Sequence, residues 1–326
     1  MTSLKNQEKF DLNVVALAGG VGGAKLARGL NLLLDPERLT VVVNTGDDFD
    51  HLGLTICPDL DSVCYGMAGL NDPVRGWGLT GETWAVFEQL KSLGGPDWFQ
   101  LGDKDLATHL MRKQYLEEGK TLTETTALLC RQWGIKAPIL PMSNDPCPTK
   151  VKLRDGRILA FQEYFVKEAC QPQVESIMLP KIDSVAPTAE VLDALSACDL
   201  VVFCPSNPWL SIDPILNFPE ILGLIASKPV VAVSPFVGGK AVKGPAAKMA
   251  SELGYGTDAS ALLEHYCNLV GAVLYDTQDA TRPSEAGGQG IIFNRSDTLM
   301  KDDQDKRRVA AEALHLGFEL IGRCSK

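Results

Sequence analysis

The pattern of apolar and polar positions is clearest near the start of the chain, where two apolar runs flank a helical segment. Residues 14–18 are continuously apolar, residues 19–23 are rich in glycine, and apolar positions recur at helical spacing over 24–34. A second run, rich in β-branched residues, covers 39–44. This order predicts a βαβ unit with parallel strands and a right-handed crossover.

The same alternation returns in the last third of the chain. Unbroken apolar runs of this kind are typical of strands that are buried on both faces of a parallel sheet. We predict strands at 200–204, 230–233 and 272–275, and helices at 191–195, 215–225, 262–266 and 306–321.

The middle of the chain lacks this rhythm and predicts helices followed by short strands. The helices fall at about 82–92 and 103–133, and the strands at 139–142, 151–153 and 158–161. We therefore predict an α/β fold, a Rossmann-like and mostly parallel sheet core with an inserted helical and mixed subdomain. The predicted boundaries are 14–75 and 188–326 for the core, 76–187 for the insertion and 1–13 for a polar N-terminal tail.

The glycine-rich segment predicts a phosphate site. A helix N-terminus offers unpaired N–H groups and a favourable dipole, and glycine allows close approach of an anion. Two common phosphate loops do not fit. The last glycine of the dinucleotide fingerprint is replaced by Lys25, and Lys25 is followed by Leu26 where a P-loop needs Ser or Thr. The alternative is that the glycines only allow close packing of the helix on the sheet.

Carboxylates cluster just after the second predicted strand. Asp47, Asp48 and Asp50 follow that strand, and Asp59 and Asp61 begin the next predicted helix. Ligands bind at the carboxyl ends of parallel strands, so these side chains are candidates for Mg²⁺ ligands or for a base. A solvated turn and a favourable helix start are the alternatives.

Further polar residues are candidates at strand ends and on one helix. Ser206, Asn207 and Ser234 follow predicted strands and could contact a base or phosphate, or only form turns. Asp103 is the predicted N-cap of a helix on which Asp105 and His109 share a face. His109 fits packing and function equally well. The spacing of His51, Cys57 and Cys64 matches no zinc pattern.

Composition narrows the class of protein. The net charge is −10, which argues against a nucleic-acid surface. The nine cysteines form no C-x-x-C pair, which suits reduced thiols in a cytosolic protein. Neither an export signal nor an apolar run of membrane-spanning length is evident. We expect a soluble cytoplasmic protein that binds neither nucleic acid nor membrane.

Taken together, these motifs resemble one known family. The stretches that carry the resemblance are Gly-Gly-Val-Gly-Gly-Ala-Lys (19–25), Asn-Thr-Gly-Asp-Asp (44–48), Cys-Pro-Asp-Leu-Asp (57–61), Leu-Gly-Asp-Lys-Asp-Leu-Ala-Thr-His (101–109), Pro-Met-Ser (141–143), Pro-Ser-Asn-Pro (205–208) and Val-Ser-Pro (233–235). In this order they are similar to the CofD/FbiA family of coenzyme F-420 biosynthesis. The family comprises 2-phospho-L-lactate and phosphoenolpyruvate transferases.

The resemblance implies a transfer reaction. A GDP-activated phosphoenolpyruvate or 2-phospholactate donates its substituted phosphoryl group to the terminal hydroxyl of 7,8-didemethyl-8-hydroxy-5-deazariboflavin, a deazaflavin riboside, and GMP is released. Mg²⁺ is the expected cofactor, and we expect a homodimer. Phosphoryl transfer needs charge neutralisation and positioning more than a covalent nucleophile, which agrees with the residues found.

The resemblance also implies roles for individual residues. Phosphate binding falls to Gly20, Gly22, Gly23 and Lys25, and the nucleotide pocket to Ser206, Asn207 and Ser234. Metal binding falls to Asp47, Asp48 and Asp61, with Asp48 and Asp61 as catalytic candidates; which of these is ligand and which is base stays open. Deazaflavin binding falls to Asp61, Gln100, Asp103 and His109.

Two details qualify this assignment. Many family members carry a basic residue where this chain has Gln100. The glycine segment resembles bacterial members more than archaeal ones, which favours the phosphoenolpyruvate donor. The alternative from another class is a non-catalytic regulator that binds a nucleotide sugar, and such relatives are expected to lack the block Pro-Asp-Leu-Asp (58–61). A dehydrogenase is a third hypothesis, which an NADH titration tests.

Overall fold

The computed structural model describes residues 10–182, 185–241, 245–266, 268–279 and 290–324. The first nine residues of the predicted polar tail lie outside these ranges, as does Cys267.

Within these ranges, seven parallel strands form the central sheet, and seven more strands form three small antiparallel sheets. In chain order the strands are β1 Val14–Ala18, β2 Leu39–Val43, β3 Phe49–His51, β4 Leu54–Ile56, β5 Ile139–Pro141, β6 Lys150–Leu153, β7 Ile158–Ala160, β8 Val174–Met178, β9 Leu200–Phe203, β10 Val230–Val233, β11 Phe236–Val237, β12 Lys240–Ala241, β13 Ala272–Asp276 and β14 Ile292–Ser296.

The order of the central sheet is β14-β13-β10-β9-β1-β2-β5. From β1 the chain moves outward to β2 and β5, and it then returns to add β9, β10, β13 and β14 on the other side of β1. The direction in which strands are added reverses between β1 and β9, which makes this the topological switch point of the sheet. A ligand of a doubly wound sheet is expected at that point.

Eleven α-helices lie in the described part of the chain. They are α1 Gly20–Asn31, α2 Pro58–Ala68, α3 Ala85–Ser92, α4 Asp103–Glu117, α5 Leu122–Gln132, α6 Ala189–Ala197, α7 Asp213–Leu216, α8 Pro219–Ile225, α9 Ala246–Glu252, α10 Ala259–His265 and α11 Asp303–Cys324. Two short π-helical turns cover Glu163–Lys167 and Pro208–Ile212.

Two apolar layers hold the helices on the sheet. Leu26 and Leu30 of α1 pack with Leu314 of α11 on one face, and Leu195 and Ile221 of α6 and α8 pack on the other. Both faces of the central strands are therefore buried, which explains their unbroken apolar runs. The predicted α/β fold with a mostly parallel core is confirmed.

Three predicted boundaries differ from the structure. Helix α1 begins at Gly20, four residues before the predicted start, so the glycines form its first turn instead of a loop before it. Strand β5, inside the predicted insertion 76–187, pairs with β2 and closes one edge of the central sheet. The predicted helix 215–225 is two helices, because Pro219 has no N–H to donate and begins a new one.

The sequence pattern also missed some elements. The hairpin β3–β4 follows directly from the acidic segment after β2 and turns at Leu52 and Gly53, which both have positive φ. Strand β14 follows residues 280–289, which lie outside the description, and it pairs in parallel with β13. Both strands of the hairpin are only three residues long, too short for a periodicity to show.

Seven described cysteines are free thiols, six of them buried. This agrees with the expectation of reduced cysteines. No helix in the described ranges combines the length and the apolar character that crossing a membrane requires.

Candidate active site

A cavity of about 660 Å³ opens at the carboxyl ends of β1, β2, β9 and β10. The start of α1, the start of α2 and the loop after β9 meet in it. Among the predicted site residues, those that line it are Gly20, Gly22, Lys25, Asp47, Asp61, Gln100, His109, Ser206, Asn207 and Ser234. Asp59, a candidate from the acidic segment to which the resemblance gave no role, lines it as well. Asp48, Asp103 and Gly23 are not among the lining residues.

The first turn of α1 faces the cavity, but its first donor is already used. The Gly20 N–H donates to Asp59 Oδ1 at 2.6 Å. Gly20 has φ +61°, a conformation that other residues adopt only at a cost. A negative side chain at a helix N-terminus is stabilising, so Asp59 takes part of the anion position that the sequence predicts for a phosphate.

Packing explains two of the other glycines. A Cβ on Gly22 would lie 2.2 Å from the Pro205 carbonyl oxygen, and one on Gly23 would lie 2.5 Å from Ser206 Oγ. The loop after β9 therefore lies directly on the first turn of α1. Gly23 is buried and serves this close approach instead of lining the phosphate position, which is the packing alternative considered above.

Asn44, at the end of β2, joins two carboxylates. Its Nδ2 donates to Asp47 Oδ1 and to Asp59 Oδ2, both at 2.9 Å. Gln162 donates to the other oxygen of Asp47 at 3.3 Å. Burial raises the pKa of Asp59 to about 6, against the lowering effect of its hydrogen bonds. Burial, followed by the charge of Asp59, raises the pKa of Asp47 well above its ordinary value.

Asp48 is a third carboxylate close to Asp47 and Asp59. Burial raises its pKa well above the ordinary value, while a hydrogen bond with the Cys57 thiol and the charge of Arg112 act in the opposite direction. Its Oδ1 is buried and has no hydrogen-bond partner among the described residues. Asp48 also feels the charges of Asp59 and Asp61, so the four carboxylates form one acidic cluster.

Asp61, unlike the other carboxylates of the cluster, forms an ion pair with an arginine side chain. Arg112 of α4 donates one N–H to Asp61 Oδ1 and another to His109 Nδ1, the latter at 2.9 Å. Asp61 Oδ2 is buried and has no hydrogen-bond partner in the described chain. Burial is the largest single influence on the pKa of Arg112 and lowers it, but the charge of Asp61, the neighbouring Cys57 and the hydrogen bond to Asp61 together outweigh burial. The net pKa is therefore raised, and the guanidinium stays charged.

Helix α2 also supplies Tyr65, whose hydroxyl donates to Asp105 Oδ1 at 2.6 Å. His109 Nε2 lies 3.5 Å from the same oxygen. Burial, then the charges of Asp61 and Asp105, raise the pKa of Tyr65, which keeps its hydroxyl protonated. Helices α2 and α4 are therefore joined by a buried polar network beside the cavity.

The three residues predicted to contact the nucleotide are all at the cavity. Ser206 Oγ accepts from the Gly19 N–H at 3.0 Å and donates to the Gly19 carbonyl oxygen at 2.9 Å, which fastens the ends of β1 and β9 together. Asn207 Oδ1 accepts from the N–H groups of Trp209 and Leu210, while its buried Nδ2 has no described partner. Ser234 Oγ accepts from the Phe236 N–H.

Aromatic side chains form another part of the cavity wall. Trp98 and Phe99 line the cavity beside Gln100, and their rings pack against those of Phe49 and His51. A flat, mostly apolar group matches such a wall in shape and polarity.

Two predicted contacts have other partners. Asp103 accepts hydrogen bonds from Thr83 Oγ1 and from the N–H groups of Ala85 and Val86, so it caps the start of α3. Gly102, not Asp103, is the N-cap of α4. Asp103 does not line the cavity, and its contact with the deazaflavin stays a prediction. Lys25 does line the cavity, and its Nζ donates to the Met300 carbonyl oxygen at 2.7 Å.

Two groups of side chains could hold a metal ion. One donor atom from each of Asp61, Asp105 and His109 lies within 4.8 Å of the others. Arg112 already compensates charge in that group. Asp47, Asp48 and Asp59 have raised pKa values, and within the described ranges the charge of Arg112, acting on Asp48, is the positive charge that lowers the pKa of one of them. Carboxylate oxygens without a compensating charge are the donors that Mg²⁺ prefers, so the acidic cluster fits this ion better.

Residues that the sequence did not single out are essential to this geometry. Asn44 belongs to the motif Asn-Thr-Gly-Asp-Asp (44–48), but its hydrogen bonds to both carboxylates depend on α2 lying beside β2. Arg112 lies one helical turn after His109, and that spacing is the signal that could have found it. Gln162 comes from a distant part of the chain, and no local pattern marks it.

The sequence is similar to those of known transferases over most of its length. The sequence model of the family described as 2-phospho-L-lactate transferase CofD matches residues 14–313. A phosphoenolpyruvate transferase of Kitasatospora aureofaciens is 39% identical over 317 residues, which is 95% of this chain and 99% of that protein. A 2-phospho-L-lactate transferase of Methanosarcina mazei is 35% identical over 297 residues, which is 91% of this chain and 98% of that protein.

The fold is also similar to that of solved structures. A crystal structure of a member of the UPF0052 family from Bacillus halodurans superimposes with a TM-score of 0.63 at 16% identity. The match covers 94% of this chain and 99% of that one. At this identity the likeness concerns the fold alone.

Proposed function

Because the chain belongs to the 2-phospho-L-lactate transferase CofD family, we propose that it transfers an enolpyruvyl phosphate group from a GDP-activated donor to a deazaflavin riboside. The acceptor is the terminal hydroxyl of 7,8-didemethyl-8-hydroxy-5-deazariboflavin. A new bond forms between that oxygen and the phosphorus of the donor, the bond from phosphorus to the GMP oxygen breaks, and GMP leaves. The 2-phospholactyl donor is the second choice, since both names occur among the relatives.

The observation that carries the proposal is the arrangement inside one cavity. A helix N-terminus, three carboxylates of the acidic cluster (Asp47, Asp59 and Asp61) and an aromatic wall meet in a cavity of about 660 Å³. Each part matches one part of the reaction. The first turn of α1 and the loop after β9 suit a nucleotide and its phosphates, and the wall of Trp98 and Phe99 suits the flat ring of the acceptor.

We assign Mg²⁺ to the acidic cluster, with Asp47 and Asp48 as predicted ligands and Asp59 added from its contacts. Asp61, the third predicted ligand, takes the other role that the prediction left open, that of the base. The buried Asp48 Oδ1 and the raised pKa values support this assignment. A bound Mg²⁺ would neutralise phosphate charge, which is the chief requirement of phosphoryl transfer.

The chain's own residues position the reactants. Asp61 presents Oδ2 without a described partner at the cavity wall, and we assign it to the acceptor hydroxyl, whose proton it receives as the new bond forms. Asn207 Nδ2 and Ser234 face the nucleotide. Gln100 contacts the deazaflavin in place of the basic residue found in many relatives.

The direct test is an assay with purified protein, Mg²⁺, the deazaflavin riboside and each GDP-activated donor, followed by mass spectrometry of the products. We expect an acidic deazaflavin product and GMP, formed faster from the enolpyruvyl donor. Binding of a nucleotide sugar with no product from either donor would instead support the non-catalytic regulator. Light scattering of the same sample tests the predicted homodimer.

A further inference from the structure

Arg112 holds the two side chains that face the acceptor end of the cavity. It is buried on α4, and it donates separate N–H groups to Asp61 Oδ1 and to His109 Nδ1. A guanidinium can only donate, so His109 Nδ1 must accept with its lone pair. The imidazole proton therefore lies on Nε2. His109 Nε2 faces Asp105 Oδ1 at 3.5 Å, which agrees with this tautomer.

Two atoms are left over by these contacts. Asp61 Oδ2 and His109 Nε2 are both buried; Oδ2 has no hydrogen-bond partner among the residues described, and Nε2 has only the long contact of 3.5 Å to Asp105 Oδ1. Both side chains line the cavity, and Asp61 Oδ2 lies 3.8 Å from the ring of His109 at Nδ1. One atom is an acceptor and the other a donor. A hydroxyl group, which donates one hydrogen bond and accepts others, fits this pair.

We propose that Arg112 is a positioning residue that fixes Asp61 Oδ2 as acceptor and His109 Nε2–H as donor for one hydroxyl of the substrate. The proposal rests on the proposed function for the identity of that hydroxyl, the nucleophile of the transfer. His109 orients its oxygen, and Asp61 takes its proton as the bond to phosphorus forms and GMP leaves. Arg112 itself does not touch the substrate.

The arrangement explains why arginine is used. Lysine offers one compact ammonium, whereas the planar fork of arginine reaches two acceptors in fixed directions. The charge of Arg112 also compensates Asp61 without occupying Oδ2. A cation bound among Asp61, Asp105 and His109 would compete with this guanidinium, which is a further reason to place Mg²⁺ with the other carboxylates.

The tautomer is tested first, in the intact wild-type protein. The chain has only four histidines, so ¹⁵N-detected long-range NMR spectra are simple, and the His109→Gln variant assigns the signal of His109. We expect the proton on Nε2 and none on Nδ1. A proton on Nδ1 would overturn the role of Arg112 whether or not the enzyme turns over.

The kinetics of the Arg112→Lys variant test whether turnover depends on the positioning of Asp61 and His109 by Arg112. We expect kcat at saturating acceptor to fall about 100-fold, the effect of misplacing a reacting group by about 1 Å, while KM for the GDP-activated donor stays within about twofold. The control is Lys113→Gln, the next residue of α4, whose side chain is exposed and pairs with Glu117. A kcat for Arg112→Lys equal to that of the control contradicts the proposal.

These experiments distinguish failure of the proposed function from failure of the proposed role of Arg112. A wild-type protein without turnover on either donor rejects the proposed function. An active wild-type protein with the wrong tautomer, or with an unaffected Arg112→Lys variant, rejects only the role of Arg112. If Arg112→Lys does not fold, as judged by circular dichroism, the wild-type tautomer still decides.

Discussion

Asp59 Oδ1 accepts a hydrogen bond of 2.6 Å from the Gly20 N–H, so a carboxylate of α2 caps the helix whose N-terminus should bind phosphate. The anion-binding end of α1 and the acidic cluster are therefore in direct contact. A phosphate placed there meets the carboxylates as well as the helix. A cation between them would reconcile the two, and the first two predictions test this consequence.

Metal-free protein should be destabilised by Asp59 at neutral pH. The folded-state pKa of Asp59 is raised to about 6, above its ordinary value, so the folded state binds the proton more tightly. Its contribution to stability is therefore favourable at low pH and is lost as pH rises from about 4 to 6. We expect the Tm of wild type relative to Asp59→Asn to be lower at pH 7.5 than at pH 5, by an amount that corresponds to about 1 kcal/mol of stability, because part of the loss has already occurred at pH 5.

Thermal unfolding in EDTA at both pH values measures this difference. Subtracting the variant removes the contribution of other titrating groups that both proteins share. A difference in Tm that does not change with pH would show that Asp59 titrates normally in the folded protein.

Mg²⁺ should stabilise the wild-type protein through the acidic cluster. Asp47→Asn removes one buried carboxylate, and we expect its Mg²⁺ affinity to fall by about tenfold or more, as for other changes around a metal site. Asp50→Asn, on the exposed side of β3, is the control and should bind Mg²⁺ as wild type does. The rise of Tm with Mg²⁺ concentration gives the affinities. Equal affinities of the two variants would remove Asp47 from the metal site.

Gly22→Ala should destabilise the protein because its Cβ would lie 2.2 Å from the Pro205 carbonyl oxygen, an atom of the backbone. We expect a loss of about 1–3 kcal/mol. The matched control is Gly223→Ala in α8, where nothing lies within 4 Å of the added Cβ. That change should stabilise by up to about 1 kcal/mol. Urea denaturation of both variants checks the pair, and a neutral Gly22→Ala would refute the close approach.

Asn207→Asp separates the structural and the binding roles of one side chain. The aspartate keeps the oxygen that accepts from Trp209 and Leu210, so stability should change little. It loses the Nδ2 donor and adds a negative charge beside the nucleotide phosphates. We expect KM for the GDP-activated donor to rise about tenfold or more, since a loss of about 1.4 kcal/mol suffices for tenfold. An unchanged KM would place the nucleotide elsewhere.

Much of the fold follows from the sequence alone. Continuous apolar runs in Val14–Ala18, Leu39–Val43 and Leu200–Phe203 mark strands buried on both faces, and such strands are parallel and covered by helices. The periodicity could not show that Ile139–Pro141 joins the same sheet, because three residues carry no period. Only its hydrogen-bonded pairing with β2 in the folded protein shows that this segment belongs to the central sheet.

The candidate site, like the fold, follows partly from the sequence and partly from the tertiary structure. The sequence determined the chemical types: glycines after a strand, aspartates after the next, and an Asp105–His109 face on a helix. Only the tertiary structure decided which of them meet. Asp103 turns away to cap α3, while Arg112 turns inward to Asp61. The reason is physical: local spacing fixes which face of an element a side chain shares, but its partners depend on how distant elements pack.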